Sequence, residues 1–304
     1  YKYFHRIRTL LDNDIEPAVF SYRDAEMFSR KAVETGREVK IHIAADTGMC
    51  RIGYVPSPEA IEEVKKIAAL PGIAMQGIFT HFSEADIADK EWAHEQHSRF
   101  SAFIDALKGA GVTFNIHHCC NSAGTLELPD FHREMIRPGI IQYGYDASKE
   151  VLVTGTKIKP VMSLRCCITH LKTIYEGDCV GYGRHFTAKG PTKIATLPIG
   201  YADGYNRALS SKIDVIVHGV RAHQVGNICM DQCMIDVSHI PDVKVGDEVV
   251  LFGEQGSECV SADEIADTCH TIIHEITCNI NRRVPRVYVQ NGKIVQRLEY
   301  LTQS

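Results

Sequence analysis

The sequence predicts an α/β protein, a (β/α)8 barrel followed by a mostly β region. Three observations carry this. Apolar strand-like runs alternate with amphipathic helical segments through the first half of the chain, the signature of a parallel sheet with crossover helices. Each run closes on a polar cluster, and polar clusters recurring at the carboxyl ends of strands are what one face of such a barrel presents. From about Lys157 the long helices stop and short strands separated by turns take over. A barrel domain over 1–148 and a β domain over 149–304 follow from this change.

Pro17-Ala18-Val19-Phe20 reads as a short strand. Ser21 caps the next helix, with Asp24 three residues on and Gly36 as its stop. Val39 to Ala45 is a strand delivering the turn Asp46-Thr47-Gly48-Met49-Cys50-Arg51-Ile52-Gly53. Ser57-Pro58 opens a helix whose apolar face is Ile61, Val64, Ile67 and Ala68, and Pro71-Gly72 closes it. Ile73 to Phe79 is a strand leading to Thr80-His81-Phe82. A longer helix buries Phe100, Phe103, Ile104 and Leu107. Phe114 to His118 leads to Asn121-Ser122-Ala123, Met135-Ile136 leads to Arg137-Pro138-Gly139, and Ile140 to Tyr143 is a last strand. A complete barrel takes roughly 250 residues, while about 145 precede the change of pattern. The opening strands and helices are therefore expected to be absent, and the chain begins at Tyr1 without an initiator methionine.

In the second half, Val161 to Ile174, Lys193 to Leu197, Ile213 to His218, Cys233 to Val237 and Val249 to Phe252 read as strands. Ser261 with Glu264 makes a capping box, and Val287 to Gln290, Asn291-Gly292 and Lys293 to Val295 make a hairpin. There are no internal repeats, low-complexity segments or flexible linker.

Composition limits the function. The 304 residues are 44% hydrophobic and 23% charged with a net charge of −5, as in a globular protein with a sizeable core. No basic run or aromatic–basic interleaving supports nucleic-acid binding. No apolar stretch reaches the length that spans a bilayer. The eleven cysteines include the adjacent pairs Cys119-Cys120 and Cys166-Cys167, which form no disulfide framework of a small secreted domain. Cys229 and Cys233 lack the second pair of ligands that a zinc site needs, so no metal is expected. Reduced thiols in a cytosolic protein account for this usage.

Chemistry concentrates in a few clusters. Leu197-Pro198-Ile199-Gly200-Tyr201-Ala202-Asp203-Gly204 carries an apolar run into a turn whose glycines bracket Tyr201. Alone, it reads more readily as a hairpin turn with a core tyrosine than as a rigidly held phenol with a free hydroxyl. Asn121-Ser122 and Gly139-Ile140 offer hydroxyl, amide and backbone N–H donors suited to a phosphate, or simple loop caps. His81 and His118 taken singly read as satisfied core histidines, and Arg51 as half of a surface ion pair.

These clusters, with Cys229-Met230-Asp231-Gln232, run in one order from about Pro17 to Arg286. Together they resemble the alanine racemase family, pyridoxal-phosphate (PLP) enzymes of fold-type III with a barrel domain and a β domain. The resemblance implies that Asn121, Ser122, Gly139 and Ile140 hold the cofactor phosphate. It implies that Arg137 contacts the pyridine nitrogen, with His81 and His118 orienting it. An arginine does not release its proton at ordinary pH, so it leaves that nitrogen unprotonated, the ring a weaker electron sink and transamination discouraged. Racemisation needs a proton removed on one face of Cα and returned on the other. Tyr201 is implied as one of the two groups. The other is a lysine in a Lys-Ala-(Asp/Asn)-Ala-Tyr-Gly motif that occurs nowhere in this chain. A free phenol titrates near 10, so Tyr201 needs a nearby cation, and Arg51 is the family's candidate for that and for the substrate carboxylate. The resemblance also implies a backbone contact from Met230 to the same carboxylate, and Tyr182 and Asp86 match residues that line the family's substrate entry path.

Three positions depart from the family. Ala44 stands where many members carry a lysine, modified by carbon dioxide, that braces the arginine. His274 replaces a tyrosine near the phosphate and substrate, and Asn227 replaces an arginine before Ile-Cys-Met-Asp. The implied activity is interconversion of L- and D-alanine, supplying D-alanine for cell-wall peptidoglycan, in a cytoplasmic homodimer with composite active sites. Two alternatives stay open: a serine racemase of the same family, and a catalytically silent binding module without the lysine. These 304 residues by themselves are expected to be inactive.

Overall fold

The computed structural model describes residues 6–150 and 158–301. Lys157, where the sequence pattern changes, lies outside them. The chain divides into two compact units, Tyr1–Lys159 and Pro160–Ser304.

In the first unit a short helix, α1 (Ile7–Asp12), precedes β1 (Ala18–Val19), α2 (Tyr22–Thr35), β2 (Val39–Ala44), α3 (Pro58–Ala68), β3 (Ile73–Phe79), α4 (Glu91–Gly109), β4 (Ile116–His118) and α5 (Ser122–Glu127). The helix α1 was not expected. The Ser21 side chain accepts from Asp24 N at 3.2 Å and Gly36 ends α2 in the left-handed region at φ 65°. Ser57 caps α3 through Ala60 N at 3.1 Å, with Pro58 in the first turn. On α4 the buried residues Ala93, Gln96, Phe100, Phe103 and Leu107 recur at the 3–4 spacing of one helix face.

The strands form one sheet in the order β1-β2-β3-β4, and every pair is parallel. Order without reversal is the connectivity of a barrel wall, because a doubly wound sheet reverses at a switch point. The core between sheet and helices includes Val19, Ile41, Ile43, Phe28, Ile67, Phe100 and Leu107. The run Ile140–Tyr143 is not the strand expected from sequence but a 3-10 turn, opened by Gly139 and stopped by Gly144 at φ 80°.

The second unit is mostly β. Its strands are β5 (Leu164–Cys167), β6 (His170–Ile174), β7 (Cys179–Val180), β8 (Phe186–Thr187), β9 (Thr192–Leu197), β10 (Asp214–Val217), β11 (Val220–His223), β12 (Cys233–Asp236), β13 (Glu248–Gln255) and β14 (Glu258–Val260). Two short helices, α6 (Ala262–Thr268) and α7 (Ile273–Asn279), precede the hairpin β15 (Arg286–Gln290) and β16 (Lys293–Leu298). A five-stranded sheet runs β11-β10-β13-β14 with β5 also on β13, and a three-stranded sheet runs β12-β9-β6. Val161 to Ile174 is therefore not one strand: β5 and β6 belong to different sheets. Of the expected capping box, Ser261 accepts from Glu264 N at 3.1 Å, but the Glu264 carboxylate is drawn to Arg221 at 2.7 Å.

Candidate active site

In the first unit the turn after β2 is organised by Asp46, whose Oδ1 accepts from Gly48 N at 3.0 Å and Cys50 N at 2.9 Å. The chain then returns, and Tyr54 N donates to Ala44 O at 2.8 Å. Gly53 sits there at φ 121°, and a Cβ would lie 2.8 Å from Asp46 N, so only glycine passes. Arg51 rides exposed on this turn, with no hydrogen bond or carboxylate partner among the described residues. Ala44, the last residue of β2, is 1% exposed. No cation or acid of its own strand braces the guanidinium.

Arg137 follows β4 through the backbone, its N–H donating to Cys120 O at 2.9 Å. Its guanidinium donates to Thr80 O at 2.8 Å and to His118 Nδ1 at 2.5 Å, with His81 Nδ1 at 3.4 Å, and it lies 5.3 Å above the Phe79 ring. Behind it, His118 Nε2 is 2.8 Å from His42 Nδ1, and His42 Nε2 is 2.8 Å from Glu16 Oε2. The proton order in this chain follows from its arginine end. A guanidinium only donates, so His118 Nδ1 accepts, its Nε2–H donates to His42 Nδ1, and the His42 Nε2–H donates to Glu16. Burial, then Arg137, then His42 push the His118 imidazolium down to about 3. Burial, then Arg137, then Arg51 push His81 down to about 4. Both histidines are neutral near pH 7, and Arg137 is the cation among them. Gly77 is required for this line, because a Cβ there would stand 2.2 Å from His42 Nδ1.

Beside Arg137, two helix starts meet. Asn121 caps α5 by accepting from Gly124 N at 3.0 Å, and Ser122 Oγ accepts from Gly139 N at 2.8 Å. Asn121, Ser122, Gly139 and Ile140 thus lie together, with the N–H of Ile140 unclaimed by any described residue. Asp86 stands apart in the loop before α4, its carbonyl accepting from Ser148 Oγ.

In the second unit Tyr201 begins a 3-10 turn (Tyr201–Asp203) at the end of β9, and Met230 lies in the turn before β12, the strand paired with β9. Tyr201 N donates to Cys229 O at 3.1 Å and Ala202 N to Met230 O at 2.9 Å. Gly200 permits the approach, since a Cβ would be 2.2 Å from Cys229 O. Asp203 is buried, accepts from Gly200 N at 2.9 Å and faces Arg283 Nε at 3.3 Å. The turn is pinned on both sides while the Tyr201 side chain stays 43% exposed. Tyr182 is exposed, and its carbonyl accepts from Asn227 Nδ2 at 2.8 Å. His274 lies exposed on α7.

Sequence reasoning missed Glu16, His42, Thr80 and Gly77. A histidine interrupting the apolar run of β2, with a carboxylate just before β1, was the available signal for the first two.

A barrel wall with polar groups gathered at one end of its strands, joined in sequence to a mostly β unit, is the architecture of an enzyme that builds its site at the strand ends. Residues 4–147 match the alanine racemase N-terminal domain and residues 161–288 the alanine racemase C-terminal domain. The chain belongs to the alanine racemase family, whose cofactor is PLP. It is 47% identical over 296 residues to an alanine racemase of Clostridium tetani, covering 97% of this chain and 76% of that one. The solved alanine racemase of Clostridium difficile 630 superposes with a TM-score of 0.93 at 38% identity, covering 99% of this chain and 78% of that one. A histidine racemase from Leuconostoc mesenteroides subsp. sake superposes at 0.83 with 25% identity, covering 91% and 74%.

The residues fit the cofactor's phosphate: hydroxyl and N–H groups converge at Ser122 and Ile140 with no carboxylate among them, and an acid there would repel a dianion.

Proposed function

We propose that this chain supplies most of the active site of an enzyme that interconverts L- and D-alanine by two-base proton transfer at Cα. The observation that supports it most is Arg137, a permanent cation held by Thr80 O and by a histidine kept neutral. In this reading the Ser122 hydroxyl and the Ile140 N–H hold the PLP phosphate, Gly139 closes the turn against Ser122, and Asn121 fixes the cap that presents them. Arg137, oriented by His81 and His118, faces the pyridine nitrogen. The bound cofactor supplies an electron sink for the Cα carbanion, and Arg137, unable to give up a proton, keeps that sink weak. Arg51 and the Met230 backbone bind the substrate carboxylate, Tyr201 moves the proton on one face, and Tyr182 and Asp86 line the way in.

The second base belongs to a lysine motif not found in these 304 residues, so by themselves they are proposed to hold PLP without covalent attachment and without turnover. The assembly is proposed as a cytoplasmic homodimer in which the second unit of one subunit completes the site on the first unit of another. Its product would feed cell-wall peptidoglycan. Among the described residues no helix is long and apolar enough to cross a membrane. A serine racemase is the second reading, favoured by Ala44 and His274, where smaller or polar side chains replace family residues.

The test is racemisation of alanine, serine and histidine by the full-length protein. Alanine turned over with the highest kcat/KM supports the assignment. Serine ahead of alanine moves it to the second reading, and no turnover of any leaves the silent binding module.

A further inference from the structure

Cys119 and Cys120, buried behind the carboxyl end of β4, are two thiols that the proposed reaction does not use. Consecutive side chains on a regular strand point to opposite faces. Cys166 and Cys167 do so on β5, one half-buried and one exposed. Cys119 and Cys120 lie past the end of β4, where the chain bends. Their Sγ atoms are 3.9 Å apart and both lie within hydrogen-bond reach of one acceptor, Phe131 O, at 3.4 and 3.5 Å.

That separation selects a ligand. A disulfide needs sulfurs about 2.05 Å apart and Cα atoms some 4.4–6.8 Å apart, whereas neighbouring Cα atoms sit about 3.8 Å apart. A pyramidal thiophilic centre with bonds of about 2.3 Å and angles near 100° spans sulfurs roughly 3.5 Å apart, so this pair, at 3.9 Å, needs to close only slightly. Zinc would require further ligands, and among the described residues no group of three or more His, Cys, Asp or Glu is placed to hold a metal. A centre satisfied by two protein sulfurs is needed.

Charge agrees. Arg133 donates to Ser101 Oγ at 2.8 Å, its Nε has no partner, and no carboxylate among the described residues pairs with it or with Arg137. The hydrogen bond from Cys119 holds the Cys120 thiol below its ordinary range, with both arginines adding to the effect. That same bond and burial hold Cys119 protonated. A thiol thus lies against a thiolate-prone neighbour, beside two cations lacking counter-ions.

We propose that Cys119 and Cys120 form a two-sulfur chelating site for trivalent arsenicals. With phenylarsine oxide both S–H bonds break, two As–S bonds form, and the oxide leaves as water carrying both protons, arsenic remaining trivalent. The pair is buried under the three-residue turn Pro129–Phe131, so binding requires that turn to open. Because Cys119 O and Cys120 O also accept from Arg137, the chelate clamps the peptide that anchors that arginine.

The probe is phenylarsine oxide at one equivalent, added to the folded, reduced protein and followed by intact mass and peptide mapping. One phenylarsenic bridge per chain is expected on the peptide containing Cys119 and Cys120, removed by 2,3-dimercaptopropanol and resistant to 2-mercaptoethanol. Cys119→Ala and Cys120→Ala should each weaken retention about 100-fold, the loss of a second attachment point, while Cys166→Ala retains it fully. Should either alanine variant not fold, the map on the unsubstituted protein decides. A bridge elsewhere, an adduct equally retained without Cys119, or labelling only after denaturation overturns the proposal.

Discussion

Arg137 keeps its proton at any ordinary pH, and that property orders the groups behind it. His118 must accept, so it must be neutral, and burial with the arginine's charge keeps it so. Both His118 and His81 are depressed below the ordinary histidine value near 6.5. The unfolded chain therefore binds more protons than the folded one below that value. Stability should be flat above pH 6.5 and fall as pH drops from about 6.5 toward 4 and then 3. Denaturant midpoints at pH 7 and 5 check this: the pH 5 midpoint should be lower, and His118→Asn should shrink the difference. An equal midpoint at both values removes the neutral-histidine account. Tyr201 makes a second claim at this scale. Tyr201→Phe in the full-length protein should slow α-proton exchange from one enantiomer at least about 100-fold more than from the other. Hydrogen-isotope exchange measures both rates, and equal losses would deny it a one-face role. The sequence exposed Arg137 and Tyr201 because their neighbours form motifs. His42 and Glu16 were hidden because their pairing runs across strands, between positions that no local spacing connects.

Elements were most legible where a start and a stop stand in the sequence, as with Ser21 and Gly36 or Ser57-Pro58 and Pro71-Gly72. They were least legible in short apolar runs. Ile140–Tyr143 reads equally as strand or helical turn by periodicity, and the structure takes the turn because Gly139 and Gly144 bound it. Ser261 and Glu264 had the spacing of a reciprocal cap, yet Arg221 on β11 competes for the glutamate. Glycines show the same dependence on what approaches them. Gly200→Ala should destabilise the second unit by roughly 2–4 kcal/mol, because its Cβ would meet Cys229 O at 2.2 Å. Gly190→Ala, with open space around it, should stay within about 1 kcal/mol of the parent. Chemical denaturation of both variants distinguishes close approach from a general glycine effect, and equal changes would contradict it.

Across the molecule, the alternation of strands and helices revealed a barrel wall, and its polar strand ends mark the candidate site. How many subunits share a site is not written in a single chain's periodicity. In the proposed dimer, Arg137→Ala spoils the first unit and Tyr201→Phe the second. Mixing the two inactive variants with proven subunit exchange should restore at most about a quarter of wild-type activity, one sound site in each mixed dimer. No recovery would place both units' contributions within one chain. In the proposed reaction a protonated arginine steers the protein toward racemisation and away from transamination. The most direct measurement is pyruvate formed per racemisation event in Arg137→Glu. The carboxyl side chain can share a proton that arginine cannot, so the ratio should rise at least about tenfold, about 1.4 kcal/mol in the partition. A ratio unchanged from wild type, in a variant that folds and still binds PLP, would contradict the central role given to Arg137.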